Sequence, residues 1–344
     1  MLIAFGDDGQ IGPVVVNGRR SDTVRDSIIT HNLWNRFRIF NFTKNLRLLG
    51  IQRTLDLSIE SQFQFFERQT EYAQILEQVR KGNQFSVAVQ KIINNEKSGE
   101  TLLRLPYCKF ITEFDEALSF LYPEGFQTPN LSKRAILCAT NDDVDEWNSK
   151  VQAMNPNDPV TLIAANQLKD TDDPHGILRN MLTEDACMFY RQNGVPDHRI
   201  TLKVGDLCFV TRTLNRKEKL ANNTRVIIQT INRFSITVKT ETDKNFTIPR
   251  IRFHVKLKFG GFVLIRTQFP LRLAYAMTKN KSQGQSIPYT LNDIRHPPFS
   301  HGHLYVSMSR ATDADNVAFF CNEDQIHDQA VVVTNVVYPE MLIT

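Results

Sequence analysis

The sequence predicts an α/β fold, because apolar runs typical of buried strands end in polar turns and alternate with amphipathic helical patterns. The clearest apolar runs are residues 2–5, 135–139 and 271–276. The stretch 203–266 differs, since it consists of short β-type segments split by polar turns. This pattern predicts an additional β-rich region within the α/β chain.

The composition is that of a folded globular protein, with 41% hydrophobic and 23% charged residues in a chain of 344. That length accommodates two domains of ordinary size. The formal net charge of +4 permits nucleic-acid binding without arguing for it, since such a surplus can serve solubility alone. The five cysteines lack Cys-x-x-Cys spacing, which disfavours zinc and a disulfide framework and favours a reducing compartment. We expect no signal peptide, because only four apolar residues follow Met1 before an acidic turn. We expect no membrane span, because no run of about 18 apolar residues occurs.

The first apolar run opens into the loop Gly6-Asp7-Asp8-Gly9-Gln10. In open α/β sheets ligands bind outside the carboxyl ends of strands, so the loop is a candidate ligand site. Taken alone, the same five residues would form an ordinary surface turn.

The segment 32–49 contains Arg47, whose guanidinium is a group that can hold two phosphate oxygens. A solvated or ion-paired arginine is the alternative. From residue 51 to about 130, apolar positions recur at intervals of three and four, which predicts helices with a stop at Lys81-Gly82-Asn83. Packing is the expected role of this region.

Residues 134–148 predict a strand, a Thr140-Asn141 end and a helix whose acidic first turn suits the helix dipole. The acidic residues spread around that helix without a His or Cys nearby, which disfavours a metal site. In the β-rich region the predicted strands are 206–212, 224–231, 235–240, 245–250 and 262–265. Its basic side chains form either a patch that follows a nucleic-acid backbone or a solvated rim: Arg212, Arg216, Lys217, Lys219 and Arg225.

The stretch 269–312 has the strongest chemical signal. Its apolar strand ends in a polar turn, 279–286, which presents backbone N–H groups, a hydroxyl, an amide and two ammonium groups in one place. That chemistry suits phosphate. A helix is predicted next, and Arg310 lies off its apolar stripe, so its side chain can reach a neighbouring surface. His301 and His303 are assigned to a turn and a helix start rather than to a metal. A core strand at 318–321 and an edge segment at 331–337 complete the chain.

These segments resemble motifs of superfamily-one DNA helicases of the Pif type (petite integration frequency), found in Helitron transposons and RecD relatives. The resemblance is carried by GDDGQIGPVV, NFTKNLRLL, RAILCATNDDVDEWN, KVGDLCFVTRTLN, NKSQGQS and LYVSMSRAT. It implies RecA-like motor domains, the first one truncated, with a small SH3-like β-barrel inserted in the second. The implied divisions are 1–50 for the remnant of the first motor domain, 51–130 for a helical segment, 131–204 and 267–344 for the second motor domain, and 205–266 for the barrel.

The same resemblance implies site residues. Those at the terminal phosphate of ATP would be Gln10, Arg47 and Arg310, the last as an arginine finger. Further nucleotide contacts would come from Asp7, Gln283 and Gly284. The implied DNA contacts are Thr140, Asn141, Lys281 and Ser282. No residue is assigned to a metal.

The sequence contains no Gly-x-x-x-x-Gly-Lys-Ser/Thr, the loop that holds ATP phosphates, and no Asp-Glu pair before Gly6. We therefore expect the carboxyl-terminal portion of a helicase that uses ATP and Mg²⁺ to unwind DNA from 5′ to 3′, inactive when alone. The alternatives are a non-catalytic single-stranded DNA-binding protein and a transposon remnant. Expected partners are single-stranded or forked DNA, with no membrane. A monomer in the nucleus or mitochondrion is expected, and repair, recombination, telomere maintenance and transposition stay open as pathways.

Overall fold

The computed structural model describes residues 6–13, 15, 18–41, 44–82, 99–103, 108–170, 187–192, 194–257, 262–327 and 330–343. The helices within them are α1 (Arg20–Arg25), α2 (Leu46–Thr54), α3 (Glu60–Lys81), α4 (Phe114–Leu121), α5 (Asn141–Ala153), α6 (Lys279–Ser282) and α7 (His303–Ser309). No helix in these ranges is both long and apolar enough to cross a bilayer. The strand predicted at residues 2–5 lies outside the described residues.

The strands are β1 (Gly99–Leu103), β2 (Lys109–Ile111), β3 (Arg134–Cys138), β4 (Val160–Ile163), β5 (Ala165–Asp170), β6 (Arg199–Leu202), β7 (Leu207–Val210), β8 (Arg225–Ile231), β9 (Ser235–Thr240), β10 (Asn245–Pro249), β11 (Ile251–Lys256), β12 (Phe262–Gln268), β13 (Leu271–Leu273), β14 (Ala276–Thr278), β15 (Tyr289–Asp293), β16 (Val317–Phe320), β17 (Ile326–His327) and β18 (Ala330–Asn335).

The chain divides into two compact units. The first comprises residues 1–124, 133–145 and 277–344, and the second comprises 125–132 and 146–276. Residues 146–204 therefore share a unit with the β-rich region, whereas the helicase resemblance grouped them with the second motor domain. The domain boundaries drawn from that resemblance stay predictions.

A largely parallel sheet forms the centre of the first unit, in the strand order β14-β3-β15-β16-β2. The strand β15 pairs in parallel with β3 and β16, and β16 pairs in parallel with β2. Every residue of β3 and β16 is buried, which explains why both strands are nearly continuous apolar runs in the sequence. The α/β class is confirmed, and this sheet has the arrangement expected of a RecA-like domain.

The long helix α3 packs on the same core as α7. Its stripe Tyr72, Ile75 and Val79 is buried together with Leu304 and Met308. Each such side chain contributes roughly 1.5–3 kcal/mol when it leaves water. The helix ends as predicted at Lys81, because Gly82 adopts φ +65°, a left-handed conformation that favours glycine.

Two strands interrupt the region that was predicted to be helical between 51 and 130. The strand β2 joins the edge of the parallel sheet beside β16, and β1 pairs with β18 in antiparallel fashion. β2 has only three residues, so it is too short to show a sequence period. The prediction of an edge segment at 331–337 was wrong, because β18 lies between β1 and β17.

Antiparallel strands dominate the second unit. One sheet has the order β10-β9-β8-β7-β13, another the order β11-β12-β5, and β4 pairs with β6. The five predicted strands of the β-rich region all occur, whereas β4, β5, β6 and β11 were not foreseen. Only Arg250 separates β10 from β11, so the sequence shows no turn where the chain changes sheets. The SH3-like character of this region stays a prediction.

Candidate functional site

The loop Gly6–Gln10 is folded around Asp7. One carboxylate oxygen accepts the backbone N–H of Gly9 at 3.1 Å, and the other accepts the side-chain amide of Gln10 at 3.2 Å. The hydroxyl of Tyr305 also donates to Asp7, at 3.2 Å. Burial, together with this carboxylate, raises the pKa of Tyr305 well above its ordinary value, so the phenol stays protonated and can donate. Asp7 therefore joins the loop to helix α7.

His301 and Gly302 hold the loop from the other side. The ring Nδ1 of His301 accepts the backbone N–H of Tyr338 at 2.9 Å, so the proton lies on Nε2, which donates to the carbonyl of Asp8 at 2.8 Å. Burial lowers the pKa of His301 and keeps it neutral. Gly302 has φ +74°, and a Cβ there would lie 2.4 Å from the carbonyl oxygen of Gly9. Only glycine allows this close approach.

An ion pair outside the predicted site secures the same loop. The carboxylate of Asp8 accepts the guanidinium of Arg80 and, at 2.6 Å, the backbone N–H of Ile343. Arg80 also binds Glu77, whose pKa it lowers to about 2. Nothing in the sequence indicated this pairing, because Arg80 stands on an ordinary charged helix face, 72 residues from Asp8.

The turn after α6 reaches the loop through Gln283. Its side-chain amide donates to the carbonyl of Ile11 at 3.2 Å and approaches the Gln10 side-chain oxygen at 3.5 Å. Gly284 follows with φ +75°, which turns the chain back toward the end of α7. There the backbone N–H of Ile287 donates to the carbonyl of Arg310 at 3.0 Å. Two motifs more than 270 residues apart in sequence therefore meet.

Arg310 is buried, with 7% of its surface exposed. Its Nε donates to the carbonyl of Val306 at 2.9 Å and one Nη to the Ser309 hydroxyl at 2.8 Å. The other Nη makes longer bonds, of 3.3 and 3.5 Å, to the carbonyls of Gln285 and Ser282. Within the described ranges no carboxylate pairs with this guanidinium. The side chain thus folds back over its own helix end rather than extending away from it.

Arg47 approaches the same place from helix α2, where Asn45 caps the first turn. Its guanidinium donates to the carbonyl of Ala311, the residue after Arg310, at 2.8 Å, while the residue remains exposed. Burial is the main cause that lowers the pKa of Arg310, and the charge of Arg47 lowers it further, whereas Tyr305 and Asp7 raise it. The two guanidinium groups therefore repel each other. An added anion would relieve this repulsion.

Of the six residues predicted for nucleotide, Asp7, Gln10 and Gln283 are linked by side-chain contacts. Arg47 and Arg310 lie together at the end of α7, where the charge of Asp7 also acts on Arg310. The sixth, Gly284, directly follows Gln283 in the same turn.

The residues predicted to contact DNA occupy different settings. Thr140 caps helix α5 by exchanging hydrogen bonds with Asp143, at 2.7 and 3.1 Å, and Asn141 is exposed beside it. Lys281 is exposed on α6. Ser282 is fully buried, and its hydroxyl donates to the carbonyl of Lys279 at 2.7 Å. In the residues described, no hydrogen bond links Thr140 or Asn141 to the nucleotide residues.

Sequence reasoning missed a set of buried polar side chains near β15. Among the described residues, no hydrogen-bond partner is found for these buried atoms: Lys279 Nζ, Thr290 Oγ1, both amide atoms of Asn292 and both ring nitrogens of His303. Burial lowers the pKa of Lys279, and burial together with Lys279 lowers that of His303 to about 4. No group of three or more potential metal ligands occurs in the described part of the chain.

Comparisons with known proteins agree with the motifs. A family model described as PIF1-like helicase matches residues 1–89. A stretch of 54 residues is 50% identical to the ATP-dependent DNA helicase Pif1 of Campylobacter jejuni, covering 16% of this chain and 12% of that protein. Another, of 117 residues, is 30% identical to Pif1 of Bdellovibrio bacteriovorus, covering 34% of this chain and 26% of that protein. Over these stretches the chain is similar to Pif1-type helicases.

Solved structures extend the Pif1-type likeness along most of the chain. Bacteroides Pif1 bound to ssDNA matches with a TM-score of 0.55 at 18% identity, over 99% of this chain and 63% of that one. The Pif1 helicase from Candida albicans matches with a TM-score of 0.56 at 17% identity, over 92% of this chain and 63% of that one. At these identities the likeness shows the fold alone. The chain covers less than two thirds of the length of each of these relatives.

Proposed function

We propose that this chain serves an ATP-dependent DNA helicase of the Pif and Helitron type, in which it reads the terminal phosphate of ATP and couples that contact to DNA. One observation carries the proposal: Arg47 and Arg310 lie together at the end of α7, and the turn whose carbonyls Arg310 binds also carries Gln283, which contacts Gln10. Guanidinium and amide N–H groups are good hydrogen-bond donors to phosphate oxygens, and a guanidinium can bind two of these oxygens at once.

The residues present fit the far end of a triphosphate. Arg310 and Arg47 bring two positive charges, and no carboxylate of the described residues neutralises Arg310. A terminal phosphate would take over the long bonds from Arg310 to backbone carbonyls and would remove the repulsion between the two arginines. Catalysis of phosphoryl transfer comes almost entirely from positioning the phosphate and stabilising its charge. The two arginines would therefore position the terminal phosphate and stabilise the charge that develops on it.

ATP and Mg²⁺ are the cofactors of the proposed activity, and Mg²⁺ would supply further neutralisation of phosphate charge. We assign no residue of this chain to the metal. Because the sequence contains no Gly-x-x-x-x-Gly-Lys-Ser/Thr, our proposal includes the absence of ATP turnover by this chain alone. DNA contacts are proposed for Thr140, Asn141 and Lys281, with single-stranded or forked DNA as the partner. The proposal includes a monomer in the nucleus or mitochondrion.

Nucleotide discrimination tests the proposal. Calorimetric titration of the full chain with ATP and with ADP should show tighter binding of ATP, since only ATP carries the phosphate that Arg310 and Arg47 reach. A charge-assisted hydrogen bond contributes about 1.5–3 kcal/mol, so Arg310→Gln or Arg47→Gln should weaken ATP binding by roughly 10-fold or more and ADP binding little.

Arg216→Gln is the matched control, because it removes the same charge from an exposed position in the second unit. Arg47→Gln keeps the test valid if the buried Arg310 proves necessary for folding. Equal affinity for ATP and ADP in the wild type, or a preference that survives both substitutions, would refute the assignment. ATP turnover by the pure chain that is lost in Arg310→Ala would refute only the proposed inactivity.

A further inference from the structure

The sheet β11-β12-β5 in the second unit has one buried face and one exposed face. On the buried side, Phe253, Val255 and Leu264 are almost fully covered. Arg266, with no exposed surface, donates hydrogen bonds from the same side to the carbonyls of Tyr190, Pro196 and Cys187 and to the side chain of Asn166. One side of the sheet is therefore tightly packed and hydrogen-bonded, and this packing holds in place the strands that carry the side chains of the opposite face.

The exposed side, which we call the β11 face, alternates with these buried positions. Arg252, His254 and Lys256 point outward from the edge strand β11 and are all exposed. In register with Lys256 lie Val263 on β12 and then Lys169 on β5, which is also exposed. Cations therefore stand on both outer strands.

The centre of the β11 face is apolar. Val263 and Ile265 occupy β12 between the two cationic strands, and both are half-buried. The other three outward positions carry Thr, Ala and Gln.

None of the nine outward positions on this face carries a carboxylate. Within the described ranges, Arg252, Lys256 and Lys169 make no ion pair and no hydrogen bond. By contrast, two other surface cations of the same unit, Lys239 and Lys244, pair with Asp243 at 2.8 Å and Glu218 at 2.5 Å. Unpaired cations held close together repel one another, and a polyanion would remove that repulsion.

We propose that the β11 face binds the phosphate backbone of duplex DNA. Neighbouring strands lie about 4.8 Å apart, so the cations of β11 and Lys169 are separated by roughly 10 Å, enough to reach phosphates of both DNA strands across a groove. No Phe, Tyr or Trp lies among the nine positions, so the large rings on which the bases of a single strand stack are absent from this face. The contact is therefore with the backbone, independent of sequence, and favours the dense phosphate array of a duplex.

This inference rests on the proposed helicase function and deepens it. It proposes that the second unit binds the duplex whose strands the helicase separates. The ATP-reading residues all lie in the first unit. The two assignments can therefore fail separately.

The test compares two double variants of the full chain. Arg252→Gln with Lys256→Gln removes two unpaired cations from the β11 face, and Lys239→Gln with Lys244→Gln removes two paired cations from the same unit. Fluorescence anisotropy measures the binding of a labelled blunt duplex and of a single strand of equal length over a salt series. Circular dichroism melting checks that both variants fold.

Each neutralised phosphate contributes about 0.9 to the slope of log K against log salt, or about an eightfold change in affinity at 0.1 M salt. Loss of two contacts should weaken duplex binding by about 60-fold and make the slope less steep by about 1.8. The control variant should bind duplex like the wild type, and both variants should retain most single-strand affinity.

Equal duplex affinity in the β11-face variant and the wild type would overturn the inference. So would an equal loss in the control variant, because total charge would then be the cause. Vesicles of phosphatidylserine form a further arm: binding to them that depends on the β11 face, with duplex binding unaffected, would overturn the assignment to DNA. A wild type that prefers ATP to ADP through Arg310 but binds no duplex would refute this inference and leave the proposed function standing.

Discussion

Protonation of His303 should set part of the acid sensitivity of the first unit. The ring is 1% exposed, and neither nitrogen has a hydrogen-bond partner in the part of the chain that the structure describes. Its pKa is lowered to about 4 by burial and by the Lys279 ammonium. An unfolded histidine titrates near 6.5. Between these two values the unfolded chain binds a proton that the folded chain does not, so stability falls as the pH falls.

The magnitude follows from the two pKa values. Their difference is 6.5 − 4 = 2.5, and each unit corresponds to 1.36 kcal/mol, which gives a loss of about 3 kcal/mol. The contribution is complete above about pH 6.5 and is lost progressively as the pH falls toward 4, where both states are protonated. Other carboxylates and histidines titrate over the same range, so the prediction concerns a difference between proteins.

His303→Leu isolates that difference. Urea unfolding of the wild type and the variant at a series of pH values gives the two free energies of unfolding, and groups common to both cancel. As the pH falls from about 6.5 to 4, the free energy of unfolding of the variant should rise by about 3 kcal/mol relative to that of the wild type. Phe299→Leu, which removes the ring packed 4.6 Å from His303 without removing a titratable group, should show no such change. A free-energy difference that stays constant over this range would refute the reasoning.

Three further substitutions test buried contacts of the first unit by urea unfolding at neutral pH. Lys279→Met should raise the free energy of unfolding by about 1–3 kcal/mol, because it removes a buried amine without a partner; a loss would show that the amine is bonded. Gly302→Ala should lower the free energy of unfolding by about 2 kcal/mol or more, because the residue has a positive φ and the added Cβ would clash with the Gly9 carbonyl oxygen. Unchanged stability would contradict this close approach. Asp8→Asn should cost about 2 kcal/mol because Arg80 loses a largely buried partner, more than Glu77→Gln on the exposed side of the same arginine; the reverse order would be inconsistent with this account.

Local signals account for the parts of the fold that were predictable. The strands β3 and β16 are buried on both faces, so their sequences are apolar throughout and stand out from the surrounding chain. The end of α3 was also predictable from a local signal. The backbone there adopts a left-handed conformation, which favours glycine, and Gly82 occupies that position. The candidate site residues Gln10, Gln283 and Arg310 were proposed through motif resemblance, which supplied the long-range grouping that local patterns lack.

The missed elements depend on partners distant in sequence. The strand β2 is defined by its hydrogen bonds to β16, more than 200 residues away, and its three residues show no period of their own. The strand β11 continues the β-type pattern of β10, so only its pairing with β12 shows that the chain has entered another sheet. The pairing of Asp8 with Arg80 was hidden in the same way, since each residue alone resembles an ordinary surface charge.

Arg310 shows how a correct local pattern can leave the side-chain direction open. The apolar stripe placed this residue off the buried face of α7, and an extended side chain seemed the natural outcome. The last carbonyls of a helix lack intrahelical donors, however, and a guanidinium just beyond the end can satisfy them, as Arg310 does at Val306.

That position does not conflict with a phosphate-reading role. A guanidinium has five N–H groups, and two of the four bonds that Arg310 makes are 3.3 and 3.5 Å long and end on carbonyls. A phosphate oxygen is a stronger acceptor than those carbonyls, because a charge-assisted bond is roughly twice as strong as a neutral one. The two short bonds can hold the side chain in place while the donors of the long bonds turn to phosphate. A fold that locked this arginine to a carboxylate would have removed that option, and in the described residues Arg310 has no such partner.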